Sequence, residues 1–148
     1  MISDYPAIII HSLKDAQNAL SIAHDLKIKV NIWSEKGAAI YTGVGWFYEI
    51  ISLCQQQFAS TLNKAVLDCD DRQDIVQMAF HYGINDAYFH GNDIIIRKLQ
   101  SICSYYKATL HLTRPDHIFN MHHLDEPEEK CKIWLSTYSI YNSNYSYS

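Results

Sequence analysis

The sequence has no run of about 18 apolar residues, so it holds no segment suited to cross a bilayer as a helix. It has no excess of basic charge either: 12 Lys and Arg against 16 Asp and Glu leave a formal net charge of −4. No strong positive field is available for nucleic acid or an anionic membrane surface, and neither is expected as a partner. The four cysteines, Cys54, Cys69, Cys103 and Cys131, stand singly, with no C-x-x-C and no zinc-finger spacing. A structural zinc site is not expected. The opening MISDYPAIIIHSL lacks a basic region ahead of its short apolar run and reads as a first strand, not a secretory signal. The cysteines then read as reduced thiols serving as small core hydrophobes, and the expected location is the cytoplasm.

Several catalytic signatures are also missing. There is no G-x-S-x-G elbow, no H-E-x-x-H and no P-loop lysine. The first strand carries no acidic pair, so a receiver-type phosphorylation site is not supported.

What is present is an ordinary globular composition. The 148 residues are 48% apolar and 19% charged, enough for one domain with its own core. Five runs read as strands: Ala7–His11, Lys29–Trp33, Ala65–Cys69, Ala87–His90 and Ala108–Leu112. Each is short, apolar and bounded by turn formers. Ile8, Ile9 and Ile10 suit a strand buried on both faces. Between the runs lie segments of helical period. Ser12-Leu13-Lys14-Asp15 resembles a capping box. The second helix follows Gly43-Val44-Gly45, and a short turn is expected at Ala38–Tyr41. Asp70 or Asp71 is expected to cap the third helix, which Gly83 closes, and Asn92 to cap the fourth.

Strictly alternating strands and helices predict a parallel sheet with helices on both faces. The expected fold is a three-layer α/β/α sandwich with a five-stranded parallel sheet in the flavodoxin-like order 2-1-3-4-5. The alternative is a partial (βα) barrel-like unit, because the short repeat also suits barrels. Residues 1–115 form the expected domain. Residues 116–148 read as an irregular extension, with one helical turn at Asp116–Met121 and Ile133–Leu135 as a docking point.

In such a sheet ligands bind beyond the carboxyl ends of the strands, at the switch in strand order. Those ends carry His11-Ser12, Ser34-Glu35, Asp68-Cys69-Asp70-Asp71, His90-Gly91-Asn92 and Thr113-Arg114. Asp68 follows the apolar run Ala65-Val66-Leu67, so its carboxylate is expected to be desolvated and in need of partners. It reads either as an acceptor of backbone amides or as a general base with His11 and His90 opposite it. The same set could bind a divalent metal, though its spacing is no metal motif. Arg114 is placed to pair with Asp68 or to clamp an anion. Ser12, Ser34, Gly43, Gly45 and Asp70 complete the candidate ligand-binding residues. The glycines supply backbone amides before a helix, which suits phosphate or carboxylate, or else simply a close-packed loop. His117, His122 and His123 read as a solvated linker or a loose metal cluster.

The strings IIIHSLKDAQNAL, GAAIYTGVGWF and VLDCDD, over residues 8–113, resemble a family of short bacterial α/β proteins of unassigned function. The resemblance implies one domain and brings no activity, cofactor or catalytic residue. The leading expectation is binding of a small anionic or phosphorylated metabolite at the C-terminal edge of the sheet, with acid–base or metal-assisted chemistry through Asp68, His11 and His90. The alternative is a non-catalytic interaction or regulatory domain, or a homodimer held by some of its 11 tyrosines.

Overall fold

The computed structural model describes residues 5–122 and 125–145, with side chains to residue 138. The chain runs β1 (Ala7–Ile10), α1 (Leu13–Asp25), β2 (Val30–Ser34), α2 (Ala38–Thr42), α3 (Val44–Gln57) and β3 (Leu62–Asp68). It continues through α4 (Gln73–Tyr82), β4 (Asp86–Tyr88), α5 (Asp93–Tyr106), β5 (Thr109–His111), β6 (Ile118–Asn120) and α6 (Pro127–Tyr145).

Local chemistry accounts for several boundaries. The Ser12 hydroxyl accepts the Asp15 amide at 3.1 Å, and the Asp15 carboxylate accepts the His11 amide at 3.0 Å. This is a capping box reaching one residue further back than usual. Asn92 caps α5 by accepting the Ile95 amide at 3.0 Å. Gly83, at φ 110°, closes α4 in the left-handed conformation. Neither Asp70 nor Asp71 caps α4: the cap position is Arg72, whose side chain bonds no helix amide and instead pairs with the Asp74 carboxylate in the first turn, at 2.9 and 2.6 Å.

All five expected strands are present and all pairings are parallel. The sheet has a sixth strand, and its order is β5-β4-β3-β2-β1-β6. The flavodoxin-like order is therefore corrected. From β1 to β5 each strand lies beside its predecessor, and no reversal separates β1 from β3.

That order has a consequence for the helices. Right-handed crossovers that always step the same way leave every helix on the same face. The helices do pack in one row, α6 on α1, α1 on α3, α3 on α4 and α4 on α5. The expected three layers are two. The main core lies between sheet and helices, built on Ile8, Ile10, Leu20, Ile32, Phe47, Leu67, Val76 and Phe89.

The opposite face carries a smaller apolar cluster of Ala7, Ile9, Trp33 and Val66, all buried although no helix covers them. Residues 112–117 account for this. They connect β5 to β6, the two edges of the sheet. A flat six-stranded sheet is roughly 24 Å wide. The connection spans at most about 24 Å when fully extended, and it also has to return along the strand direction. The sheet therefore curls, and the segment straps its open face. Rings from separated strands converge there: Trp33 of β2 lies 5.8 Å from Tyr88 of β4 and 6.0 Å from His111 of β5.

The residues expected to form an irregular extension continue the fold. β6 pairs with β1 in the register Ala7–Ile118, where a helical turn was expected. Cys131 and Leu135 of α6 are fully buried in the main core, and Ile133 is exposed. Cys54, Cys69, Cys103 and Cys131 are all free thiols. Among the described residues no helix is long and apolar enough to cross a membrane.

Candidate functional site

Asp68 ends β3 with its side chain entirely removed from solvent. A carboxylate in that position needs compensation, and three groups supply it. Its Oδ1 accepts the Asp70 amide at 2.9 Å and the Gly37 amide at 3.4 Å. Its Oδ2 is ion-paired with Arg114 Nη1. Its own amide donates to Ser34 Oγ at 2.8 Å. Burial nonetheless pushes the carboxyl above the usual carboxylate range. The Asp70 amide, the Arg114 charge and the Gly37 amide act the other way, and the Asp70 carboxylate adds a little repulsion.

Arg114 is carried by the strap and is held from below as well. Its guanidinium lies over the rings of Trp33 and Tyr88, 5.5 and 5.8 Å from their centroids. Only Nη1 is used by Asp68, and the other guanidinium N–H groups have no acceptor among the described residues. A rigid cation with free donors results.

Arg114 borders a cavity of about 550 Å³ under the strap. Trp33 and Val66 floor it, and Thr113, Arg114, Pro115 and Asp116 roof it. Asn31, Asn63 and Lys64, from the first turns of β2 and β3, line its side. The size is that of an ordinary small-molecule site. It lies toward the N-terminal ends of the strands, away from the C-terminal edge where a site was expected.

The polar lining is oriented. Asn31 Oδ1 accepts the Lys64 amide at 3.0 Å and the Asn63 side-chain amide at 2.8 Å. The backbone donor fixes which Asn31 atom is oxygen, so its NH₂ is left for the cavity. The Lys64 ammonium has no carboxylate partner among the described residues. On β5, His111 Nε2 lies 2.9 Å from Asp86 Oδ1, a pair that is mostly buried. His111 also lines the cavity, and its Nδ1 has no partner among the described residues.

The expected catalytic set is not brought together. β2 separates His11 from Asp68, and His11 is engaged elsewhere. Its Nδ1 lies 3.1 Å from Glu35 and its Nε2 2.8 Å from Asn120 Oδ1, with the His122 ring 4.2 Å away. His90 is exposed beyond β4, and its amide donates to the Asp70 carbonyl at 2.8 Å. Among the described residues no three His, Cys, Asp or Glu side chains gather as a metal site would. His123 lies outside the described residues.

The expected ligand-binding residues have structural duties. Ser12 is the α1 cap, and Ser34 Oγ is occupied by the Asp68 amide and the Glu35 carbonyl. Gly43, at φ 89°, makes the sharp junction between α2 and α3, which few other residues adopt. Gly45 lies inside α3 against Tyr82, where a Cβ would approach the phenol oxygen to 3.1 Å. Asp70, at φ 54°, turns the chain so that its amide reaches Asp68. Of the named candidates only Arg114 borders the cavity.

Sequence reasoning passed over Asn31, Trp33, Lys64, Asp86 and His111. A signal was available. Asn31 and Trp33 alternate with buried Val30 and Ile32, Asp86 precedes buried Ala87, and a period of two in a parallel sheet marks a face without helices. Lys64 and His111 carry no such pattern on their strands. The chain matches no model of a known protein family and none of the curated proteins.

Proposed function

We propose that the chain binds a small anionic metabolite, carrying a carboxylate or phosphate, in the cavity between the open face of the sheet and the strap. The observation that supports this reading is Arg114: an arginine anchored by a buried carboxylate, stacked on two rings, and lining the cavity with donors that no described residue uses. Lys64 adds a second cation, and the Asn31 amide a neutral donor. Asp116, exposed in the roof, is the one carboxylate among the described lining residues. Preorganised planar donors of this kind suit carboxylate and phosphate.

The consecutive strand order and the single layer of helices favour reading the domain as an arc of a (βα) barrel, closed by a strap in place of further strands. The ligand then occupies what would be the barrel interior.

Thermal unfolding with inorganic phosphate, 2-oxoglutarate and dihydroxyacetone phosphate tests the reading. A ligand at 100 times its Kd adds about 2.7 kcal/mol, a rise of roughly 5–10 °C for a domain of this size. The rise should be lost in Lys64→Gln, whose exposed side chain has no structural bond. Absence of any rise, together with a dimer in sedimentation, would favour the interaction-domain alternative.

A further inference from the structure

The cavity holds a group that anion binding does not require. His111 and Asp86 sit on adjacent strands, and both project from the open face. Asp86 holds Nε2 of the ring, which leaves Nδ1 as the nitrogen able to take up or release a proton. The Trp33 edge, 6.0 Å away, flanks the ring on another side. A histidine oriented by a mostly buried carboxylate, lining a cavity with two cations, is the equipment of proton transfer to a bound anion.

The rest of the lining narrows the reaction. It has no cysteine and no serine, and its one aliphatic hydroxyl, on Thr113, makes no hydrogen bond to His111 among the described residues, so no base-activated nucleophile is assembled. A base facing cations suits removal of a proton from carbon beside a carbonyl. The C–H bond breaks and its proton goes to His111 Nδ1. Its electron pair forms the enolate, whose oxygen is stabilised by Lys64 or Arg114. Return of a proton from the same ring restores the carbonyl compound. No oxidant, reductant or second substrate is needed.

We propose that His111, positioned by Asp86, is the acid–base residue of this cavity, acting on small anions that carry a carbonyl group such as 2-oxo acids or phosphorylated ketoses. This rests on the reading of the cavity as an anion site.

The test is exchange of carbon-bound protons with D₂O, followed by NMR, on 2-oxoglutarate, pyruvate and dihydroxyacetone phosphate, with binding of each measured calorimetrically. The expected result is exchange of at least one probe at least 100-fold above buffer. His111→Gln should reduce it to the buffer rate while binding changes less than threefold. A glutamine amide can still donate to Asp86 from the place of Nε2, so the fold is kept and only the proton acceptor is lost. Asp86→Asn is the second variant, expected to slow exchange about tenfold without abolishing it. Binding without exchange, or exchange unchanged in His111→Gln, overturns the acid–base assignment and leaves the anion site standing. Failure of all three probes to bind overturns both.

Discussion

Arg114, on the segment joining the two edge strands, is ion-paired with Asp68 at the end of a central strand. The two members are unequal: Asp68 is fully buried, whereas the Arg114 side chain keeps 31% of its exposure. Removing the arginine leaves the buried carboxyl with its two backbone amides alone, so that it stays charged at a cost or takes up a proton at a cost. Removing the carboxylate leaves a cation that water can reach. Arg114→Met should therefore cost about 3 kcal/mol, near the range for breaking a buried pair. Asp68→Asn should cost only about 1–2 kcal/mol, since its amide oxygen still accepts the two backbone amides. Urea unfolding of both variants checks the order.

The same pair carries a pH signature. Burial raises the Asp68 pKa in the folded state, so the acid form is the one folding favours. Its contribution is intact below the unfolded value of about 3.9 and declines as pH rises through the folded value. The stability gap between wild type and Asp68→Asn should accordingly be widest at or below about pH 4 and narrow as the pH rises above it. In Arg114→Met the loss of a lowering charge should carry that decline to higher pH. Melts across this range read both effects.

The thiols predict behaviour at the other end of the scale. Burial pushes Cys54 up to about 11 and Cys69 and Cys131 up to about 12. Folding disfavours their thiolates, so stability is complete below about pH 8.5 and falls as pH rises toward 11. The slope is up to about 1.4 kcal/mol per pH unit for each thiol. At pH 8 a disulfide reagent should label the native chain at Cys103 alone, and all four sites after unfolding.

Two neighbouring glycines should respond oppositely to alanine. Gly43 has open space around its Cα but a φ of 89°, so Gly43→Ala should destabilise by about 1–2 kcal/mol. Gly45 has helical geometry, and its obstacle is the tip of Tyr82, a half-exposed side chain free to move. Gly45→Ala should be neutral or stabilising by up to about 1 kcal/mol. Thermal melts of the pair separate backbone strain from crowding.

The C-terminal helix is part of the core, and Leu135 tests it. Leu135→Ala should cost about 3 kcal/mol, as for other fully buried leucines. Ile133→Ala, one face away and exposed, should change stability by less than about 0.5 kcal/mol.

How much of this was legible in the sequence differs from element to element. Ile8–Ile10, Ser12, Gly83 and Asn92 announce β1 and the helix termini because each acts over a few residues. Strand order does not, since the same alternation of strands and helices serves a reversing sheet and a consecutive one. The choice rests on which faces are polar, and only Asn31, set between buried Val30 and Ile32, carried part of that information. β6 was hidden because Ile118–Asn120 is too short to show a period. Asp68 was legible as a desolvated carboxylate, and its partner Arg114 as a strand-end cation, because burial and charge can be read locally. The pairing of His111 with Asp86 could not be read, because it follows from which strands are neighbours.

The strap reverses the usual tolerance of loops. Surface connections ordinarily accept insertions at little cost, because a doubled length adds only about 0.6 kcal/mol of closure entropy. Residues 112–117 work as a tie-rod whose length sets how far the sheet edges stand apart. A few added residues would leave every strand pairing intact and yet let the sheet relax, lift Arg114 from Trp33 and uncover the apolar stripe beneath. Selection on this chain should thus act on the length of one irregular segment as strictly as on the identity of a core residue.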